Sequence, residues 1–199
     1  MARLCKPEFK ELSSFSNVGG APVLRTLWDR FDLSLLLSQS GIFKVRGVAT
    51  WVLAFLYVVG LINRCPSVNA LATFFNKDGL LQRMLGIQKV TQSTLSRFLT
   101  GFSQWDTFNE KRTSRLQEDP DTALADGDVL ALDDTHAPHP YAKGIPFLYW
   151  LYDSSNKVYT WAMNIVALHA VRSNGVEYPW SYAIWAKPEN DTDKKQSKL

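Results

Sequence analysis

The pattern of apolar residues changes near residue 118, and this change constrains the fold more than any other feature. Before it, apolar residues recur every three to four positions, as in amphipathic helices. After it, short apolar runs alternate with turn-forming residues, as in strands. The intervening stretch, 118–127, is polar and acidic. We therefore predict an α+β protein with a helical domain at 1–117, a linker at 118–127, strands at 128–186 and a disordered tail at 187–199.

Several helices are predicted in the first half. Apolar residues recur every four positions between Pro22 and Gly41 and predict one helix there: Val23, Leu27, Phe31 and Leu35. Residues 48–62 form an uncharged run of 15 residues. A membrane span needs roughly 20 such residues, so this run predicts the central helix of a small bundle.

Further helix boundaries are indicated by capping residues. Ser67, Asp78 and Thr91 are each expected to begin a helix, and Gly86 is expected to end the one that follows Asp78. Another helix is predicted at residues 105–117. In the second half, residues 154–157 and the pair Asn174-Gly175 predict turns between strands.

The charge is distributed unevenly along the chain. Residues 1–117 carry 15 Lys and Arg against 7 Asp and Glu, whereas residues 118–199 carry 7 against 12. A basic half favours contact with a polyanion, and an acidic half favours divalent cations. Cys5 and Cys65 match neither a metal-binding nor a disulfide pattern, which favours a reducing cytoplasmic location.

The helix predicted after Thr91 is the candidate DNA-reading element. The turn at residues 86–88 separates it from the preceding helix, 79–85, which gives a helix-turn-helix outline. Its polar side chains are suited to base edges and phosphates in a major groove: Gln92, Ser93, Ser96 and Arg97. The alternative is an amphipathic helix whose polar face contacts only solvent.

Asp133 and Asp134 are the candidate catalytic and metal-binding residues. They are expected at the end of an apolar strand, where two carboxylates are costly unless they bind a cation or find donors. Carboxylate oxygens suit Mg²⁺, which serves phosphoryl transfer. The alternative is a solvated strand end. Strand alternation places the two side chains on opposite faces, without indicating which one enters a site.

Two histidines near the carboxylates leave a transition-metal site open as a competing hypothesis. His136 and His139 lie close to the two carboxylates in sequence and are ligand types for Zn²⁺ or Fe²⁺, although Pro138 and Pro140 indicate an extended loop. His169 is expected to be a hydrogen-bonded core residue. Four tryptophans are expected to pack in the core or on a sheet face rather than stack on bases: Trp150, Trp161, Trp180 and Trp185.

The run VLALDDTHAPHPYAKGIPFLYWLYDSSNKVYTWAMNIVALHAV, followed by YPWSYAIW, resembles the opening of the catalytic domain in bacterial insertion-sequence transposases of the DDE type. The similarity is to the IS4-like and IS701-type group, and TQSTLSRFL resembles the region that precedes that domain. The resemblance implies an RNase H-like mixed sheet in which two Asp and one Glu hold two Mg²⁺ (or Mn²⁺) ions. The first catalytic Asp is then Asp134 or Asp133, and Thr135 and Lys143 lie near the DNA backbone.

The later ligands of that family are not recognisable in this sequence. Glu189, Asp191 and Asp193 follow no apolar strand or long helix, so they are not assigned. We therefore expect a truncated transposase with only the start of the RNase H-like sheet, weak or absent Mg²⁺ binding, and DNA binding at insertion-sequence ends as its remaining activity.

Two alternatives remain open at this point. One is a DNA-binding regulator or transposition inhibitor that acts through residues 1–117. The other is a metal-dependent hydrolase that uses Asp133, Asp134, His136 and His139. The expected partners are DNA and either a second copy or a full-length transposase, in a nucleoid-associated cytoplasmic location without membrane contact.

Overall fold

The computed structural model describes residues 18–142 and 144–186. Within these ranges the chain forms seven helices followed by four strands, which confirms the α+β class. The helices are α1 Ala21–Arg30, α2 Leu33–Gln39, α3 Thr50–Ile62, α4 Val68–Lys77, α5 Gly79–Leu85, α6 Gln92–Thr100 and α7 Trp105–Glu118. The strands are β1 Val129–Pro138, β2 Tyr149–Asp153, β3 Val158–Val171 and β4 Glu177–Ile184. The chain divides into two compact units, and the division falls between Arg112 and Thr113, within α7.

The uncharged run forms the central helix of the first unit, as predicted. Leu53, Phe55 and Leu56 of α3 are fully buried. The ring of Trp28 from α1 meets the Phe55 ring edge-on, with 5.4 Å between centroids. A helix that is apolar on all sides is stable in water only when other helices surround it. Among the described residues, no helix combines the length and apolar character needed to cross a membrane.

The chain between Pro22 and Gly41 forms two helices, so the prediction of a single helix there was wrong. α1 ends at Arg30, and Asp32 adopts a left-handed conformation (φ 46°) before α2 begins. The four residues of the predicted repeat are exposed: Val23, Leu27, Phe31 and Leu35. The buried apolar side chains of this stretch are instead Trp28 of α1 and Leu36 and Leu37 of α2.

The helix starts at residues 67, 78 and 91 are capped as predicted. In each case a side-chain oxygen accepts a hydrogen bond from a backbone N–H of the first turn, which would otherwise lack a partner. The three bonds run from Ala70 to Ser67 Oγ (3.1 Å), from Leu81 to Asp78 Oδ1 (2.9 Å) and from Thr94 to Thr91 Oγ1 (3.2 Å). Gly86 ends α5 in the left-handed conformation, φ 67°, that glycine adopts most easily.

The four strands form an antiparallel sheet around β3. β1 pairs along one edge of β3, while β2 and β4 pair with successive parts of the other edge. Both predicted turns are present, since residues 154–157 connect β2 to β3 and Gly175 (φ 85°) lies between β3 and β4. Asp153 Oδ1 accepts hydrogen bonds from the N–H groups of Ser155 and Asn156, which closes the first turn.

β1 continues beyond its two carboxylates to Pro138, so the prediction that this strand ends at Asp134 was wrong. The register places Asp134 opposite Val166 and His136 opposite Asn164. β3 is long enough to pair with all ten residues of β1, and residues 135–138 therefore gain backbone partners. Pro138 is the last residue of β1, which is an edge strand among the described strands, and a missing N–H is tolerated on an edge strand.

Asp128 ties the segment before β1 to the turn after β3. Its Oδ1 accepts the Ser173 N–H at 2.8 Å, and its Oδ2 accepts the Ala125 N–H at 2.9 Å and Arg172 Nε at 3.2 Å. The Asp128 side chain is only 2% exposed. These donors, above all the backbone N–H of Ser173, hold the pKa of Asp128 far below its usual value of 3.8.

We expect Asp128→Asn to destabilise the second unit at neutral pH, because the amide carries no charge for Arg172 and accepts fewer hydrogen bonds. The pKa of Asp128 is depressed in the folded state, so its stabilising effect is present above pH 3.8 and is lost as the pH falls through the lower folded-state value. Urea unfolding of wild type and variant should therefore show midpoints that differ at pH 7 and converge below pH 4. Asp126→Asn, at an exposed neighbour, is the control. Equal midpoints at pH 7 would contradict this role.

Candidate nucleic-acid interface and carboxylate site

A side-chain clamp fixes the turn that leads into α6. Asn76 of α4 donates from Nδ2 to the carbonyl oxygen of Val90 and accepts the Val90 N–H on Oδ1, each at 2.9 Å. Gln82 of α5 donates to the carbonyl oxygen of Asn76, also at 2.9 Å. Both backbone groups of Val90 are thus bonded to one side chain, and this holds the start of α6 against α4.

α6 has one buried face and one polar face. Leu95 and Phe98 are buried in the core of the helical unit. Three of the four residues expected to contact DNA are exposed, namely Gln92, Ser93 and Arg97, and the fourth, Ser96, is half-buried. The polar side chains of the first turn therefore face solvent while the apolar ones anchor the helix.

The segment that contains α5 and α6 carries only basic charged residues. Residues 79–105 contain Arg83, Lys89 and Arg97 but no Asp or Glu, and all three basic side chains are exposed. The Arg97 Nε donates to the Ser93 carbonyl oxygen at 3.1 Å, which draws the guanidinium back towards the start of α6. Exposed cations near backbone N–H groups of a helix start are suited to phosphate oxygens.

The two carboxylates of β1 lie on opposite faces of the sheet, as strand alternation predicted. Asp133 Oδ1 accepts the N–H of Asp134 at 2.9 Å, a local bond within the strand. Asp134 Oδ2 accepts a hydrogen bond from Asn164 Nδ2 of β3 at 3.3 Å. Both Asp residues are exposed. Of these two hydrogen bonds, only the one to Asp134 comes from a side chain of the neighbouring strand.

Asn164 was not among the residues singled out in the sequence. It is 2% exposed, and its Oδ1 has no hydrogen-bond partner. The available signal was a lone amide within the apolar run of β3, because Asn is depleted in strands. Its proximity to Asp134 depends on pairing between residues 30 positions apart, which the sequence pattern does not indicate.

The three histidines lie at three separate positions in the structure. His136 lies within β1 on the face of Asp134, whereas His139 follows the strand and donates its backbone N–H to the Trp161 carbonyl oxygen at 2.7 Å. His169 is half-buried at an irregularity in the pairing of β3 with β4. In residues 18–142 and 144–186, no three His, Cys, Asp or Glu side chains are grouped closely enough to hold a metal ion.

Two further residues were predicted to lie near the DNA backbone, Thr135 and Lys143. Thr135 is exposed on the same face as Asp133, and so on the face opposite Asp134. Lys143 lies outside the described residues, as does the predicted tail at 187–199, which contains the unassigned Glu189, Asp191 and Asp193. Contact of Thr135 and Lys143 with a DNA backbone stays a prediction.

The tryptophans of β2 and β3 pack on the sheet face rather than in the core. Trp150 and Trp161 are cross-strand partners with ring centroids 5.5 Å apart, and they are 56% and 43% exposed. Tyr152 and Tyr159 form a second such pair on the same face. This face of the β2–β3 hairpin is therefore lined by four partly exposed aromatic rings.

Comparisons of this chain with protein-family models, curated proteins and solved structures find no match. Its function is therefore inferred from the side chains just described and from the chemistry they support.

We expect Asn76→Ala to lower the free energy of unfolding by about 1–3 kcal/mol, because it leaves the N–H and carbonyl groups of Val90 without their side-chain partner. Asn69→Ala, at an exposed position on the same helix, should change it by less than about 0.5 kcal/mol. Urea unfolding of the full chain measures both. If the two variants have the same stability, the clamp does not contribute as described.

Proposed function

We propose that this chain is part of a DDE-type transposase that binds DNA through α6 and supplies the first metal-binding carboxylate of the family's strand-transfer site from β1. The observation that carries the proposal is the position of Asp134. It is an exposed carboxylate within the first strand of an antiparallel sheet, and a buried amide of the neighbouring strand donates to it. A carboxylate on the first strand is what the resemblance to these transposases implies.

The assignment of the strands as the start of an RNase H-like sheet belongs to this proposal. It is supported by the order of elements, since a helical unit precedes the carboxylate-bearing strand and an antiparallel sheet contains it. Asp134 is assigned as the first catalytic Asp because Asn164 donates a hydrogen bond to its Oδ2, whereas Asp133 Oδ1 accepts the backbone N–H of the adjacent Asp134.

The chemistry of the Asp134 side chain fits Mg²⁺ or Mn²⁺, because both are hard cations that prefer oxygen ligands. In phosphoryl transfer such an ion stabilises negative charge on the reacting oxygens. One carboxylate holds it weakly, and the described residues bring no second and third acidic ligand to Asp134. We therefore assign DNA binding, and not strand cleavage, to the described part of the chain.

DNA binding is proposed for the α5–turn–α6 segment as a helix-turn-helix element. Three features support it: the clamped turn at Val90, the exposed polar residues at the start of α6, and the exposed basic side chains of Arg83, Lys89 and Arg97. In this proposal Gln92 and Ser93 contact base edges or phosphates, and Arg97 contacts a phosphate. Insertion-sequence ends are the DNA that the resemblance implies.

A DNA-binding regulator is the second candidate. It is favoured by the core of the helical unit, which is built from residues of that unit and includes side chains from α1 through α6. Such a unit can bind DNA without using the carboxylates of the sheet. Association with a second copy or with a full-length transposase is part of this proposal, and so is a location on the nucleoid.

We expect Arg97→Gln in the full chain to weaken binding to a short mixed-sequence DNA duplex several-fold. The slope of log affinity against log salt concentration should fall by about 1, because one phosphate contact is lost. Fluorescence anisotropy over a series of salt concentrations measures both quantities. Arg30→Gln, at an exposed position at the end of α1, is the matched control and should change neither.

Each outcome of the DNA-binding experiment has a definite consequence. Absence of duplex binding by the wild type at low salt would overturn both the transposase and the regulator proposals. Equal losses in the Arg97 and Arg30 variants would show that the charge of the unit, and not α6, determines binding. Asp134→Asn should leave duplex binding unchanged, because the carboxylate is assigned to the metal site.

A further inference from the structure

Asn164 is a polar residue of β3 that is only 2% exposed. It lies on β3 between Met163 and Ile165, and Ala162 on the same face is also fully buried. An amide is costly at such a position unless its donors and acceptor are bonded. Here the acceptor Oδ1 has no hydrogen-bond partner, so the side chain is only partly satisfied.

The orientation of this amide follows from the chemistry of its neighbour. Asp134 and Asn164 are diagonal neighbours on one face, because Asp134 is opposite Val166 and Asn164 is opposite His136. An ionised carboxylate only accepts hydrogen bonds, so the NH₂ group must face Asp134 Oδ2, at 3.3 Å. A rotated amide would place two acceptors against each other. The unpaired Oδ1 is therefore the consequence of directing the donor at Asp134.

Packing alone does not account for an amide here. A γ-branched apolar side chain such as Leu would occupy the position without burying an unpaired acceptor, and so without the cost of desolvating that acceptor. The contact that an apolar side chain cannot provide is the donor to Asp134. The feature that distinguishes Asn at this position is thus its hydrogen bond to the carboxylate.

We propose that Asn164 is a positioning residue that holds the Asp134 carboxylate in the orientation in which it binds a divalent cation. This inference rests on the proposed function, in which Asp134 is the first metal-binding carboxylate. A carboxylate whose orientation is fixed by a buried donor loses less conformational freedom when it binds a cation. Asn164 itself does not contact the cation.

The test is a titration of the full chain with Mn²⁺ alone, followed by paramagnetic broadening of NMR signals around Asp134. Asn164→Leu and Asn164→Ala both remove the donor, and the smaller Ala keeps the experiment informative if Leu does not fit the site. Each should weaken Mn²⁺ binding at Asp134 by about tenfold, the usual effect of losing a partner of a metal ligand. Met163→Leu, next to Asn164 but on the opposite face, is the matched control and should bind as the wild type does.

Two further measurements separate positioning from a purely structural role. Thermal unfolding of Asn164→Leu should show a midpoint equal to or above that of the wild type, since the unpaired acceptor is gone. The side-chain amide signals of Asn164 in the metal-free protein should shift in Asp134→Asn, because this change replaces the charged acceptor. A structural role predicts a lower unfolding midpoint with unchanged Mn²⁺ affinity.

The outcomes test the positioning role of Asn164 separately from the proposed metal binding by Asp134. If the wild type binds Mn²⁺ at Asp134 and both Asn164 variants bind it equally well, the positioning role is overturned and the metal site stands. If Mn²⁺ causes no broadening around Asp134 in the wild type, the positioning role and the metal-binding part of the proposed function are both overturned. DNA binding that depends on Arg97 is unaffected by either result.

Discussion

The second unit depends on the backbone hydrogen bonds of β3. Each of the other three strands pairs with it, β1 on one edge and β2 and then β4 on the other. Its 14 residues extend over about 45 Å, which is the length needed to pair with two shorter strands end to end. Asn164 lies on the same strand, so the element that organises the sheet also orients Asp134.

The helical unit shows which features of a fold are encoded locally. The caps at Ser67, Asp78 and Thr91 were predictable because each depends on one side chain and the first helical turn beyond it. The central helix was predictable because an uncharged run of that length has few other stable environments. The break at Asp32 was not, because the burial of Trp28 and Leu36, and not the four-residue repeat, determines how the two helices are oriented.

The candidate site was predictable only in part. Alternation along a strand was sufficient to place Asp133 and Asp134 on opposite faces. It was not sufficient to choose between them, because the proposed choice of Asp134 depends on which face of β3 carries Asn164. That contact joins residues 30 positions apart, and its register is fixed by strand pairing rather than by any local pattern. The same pairing extends β1 past the carboxylates, where two polar residues in sequence had suggested an end.

The paired indoles of the β2–β3 hairpin have an optical consequence. The ring centroids of Trp150 and Trp161 are 5.5 Å apart, so their electronic transitions are close enough to couple. Such coupling produces a circular-dichroism couplet of opposite-signed bands, and it disappears when either indole moves away. The loss of this couplet therefore reports the loosening of the β2–β3 hairpin, separately from the unfolding of the helices.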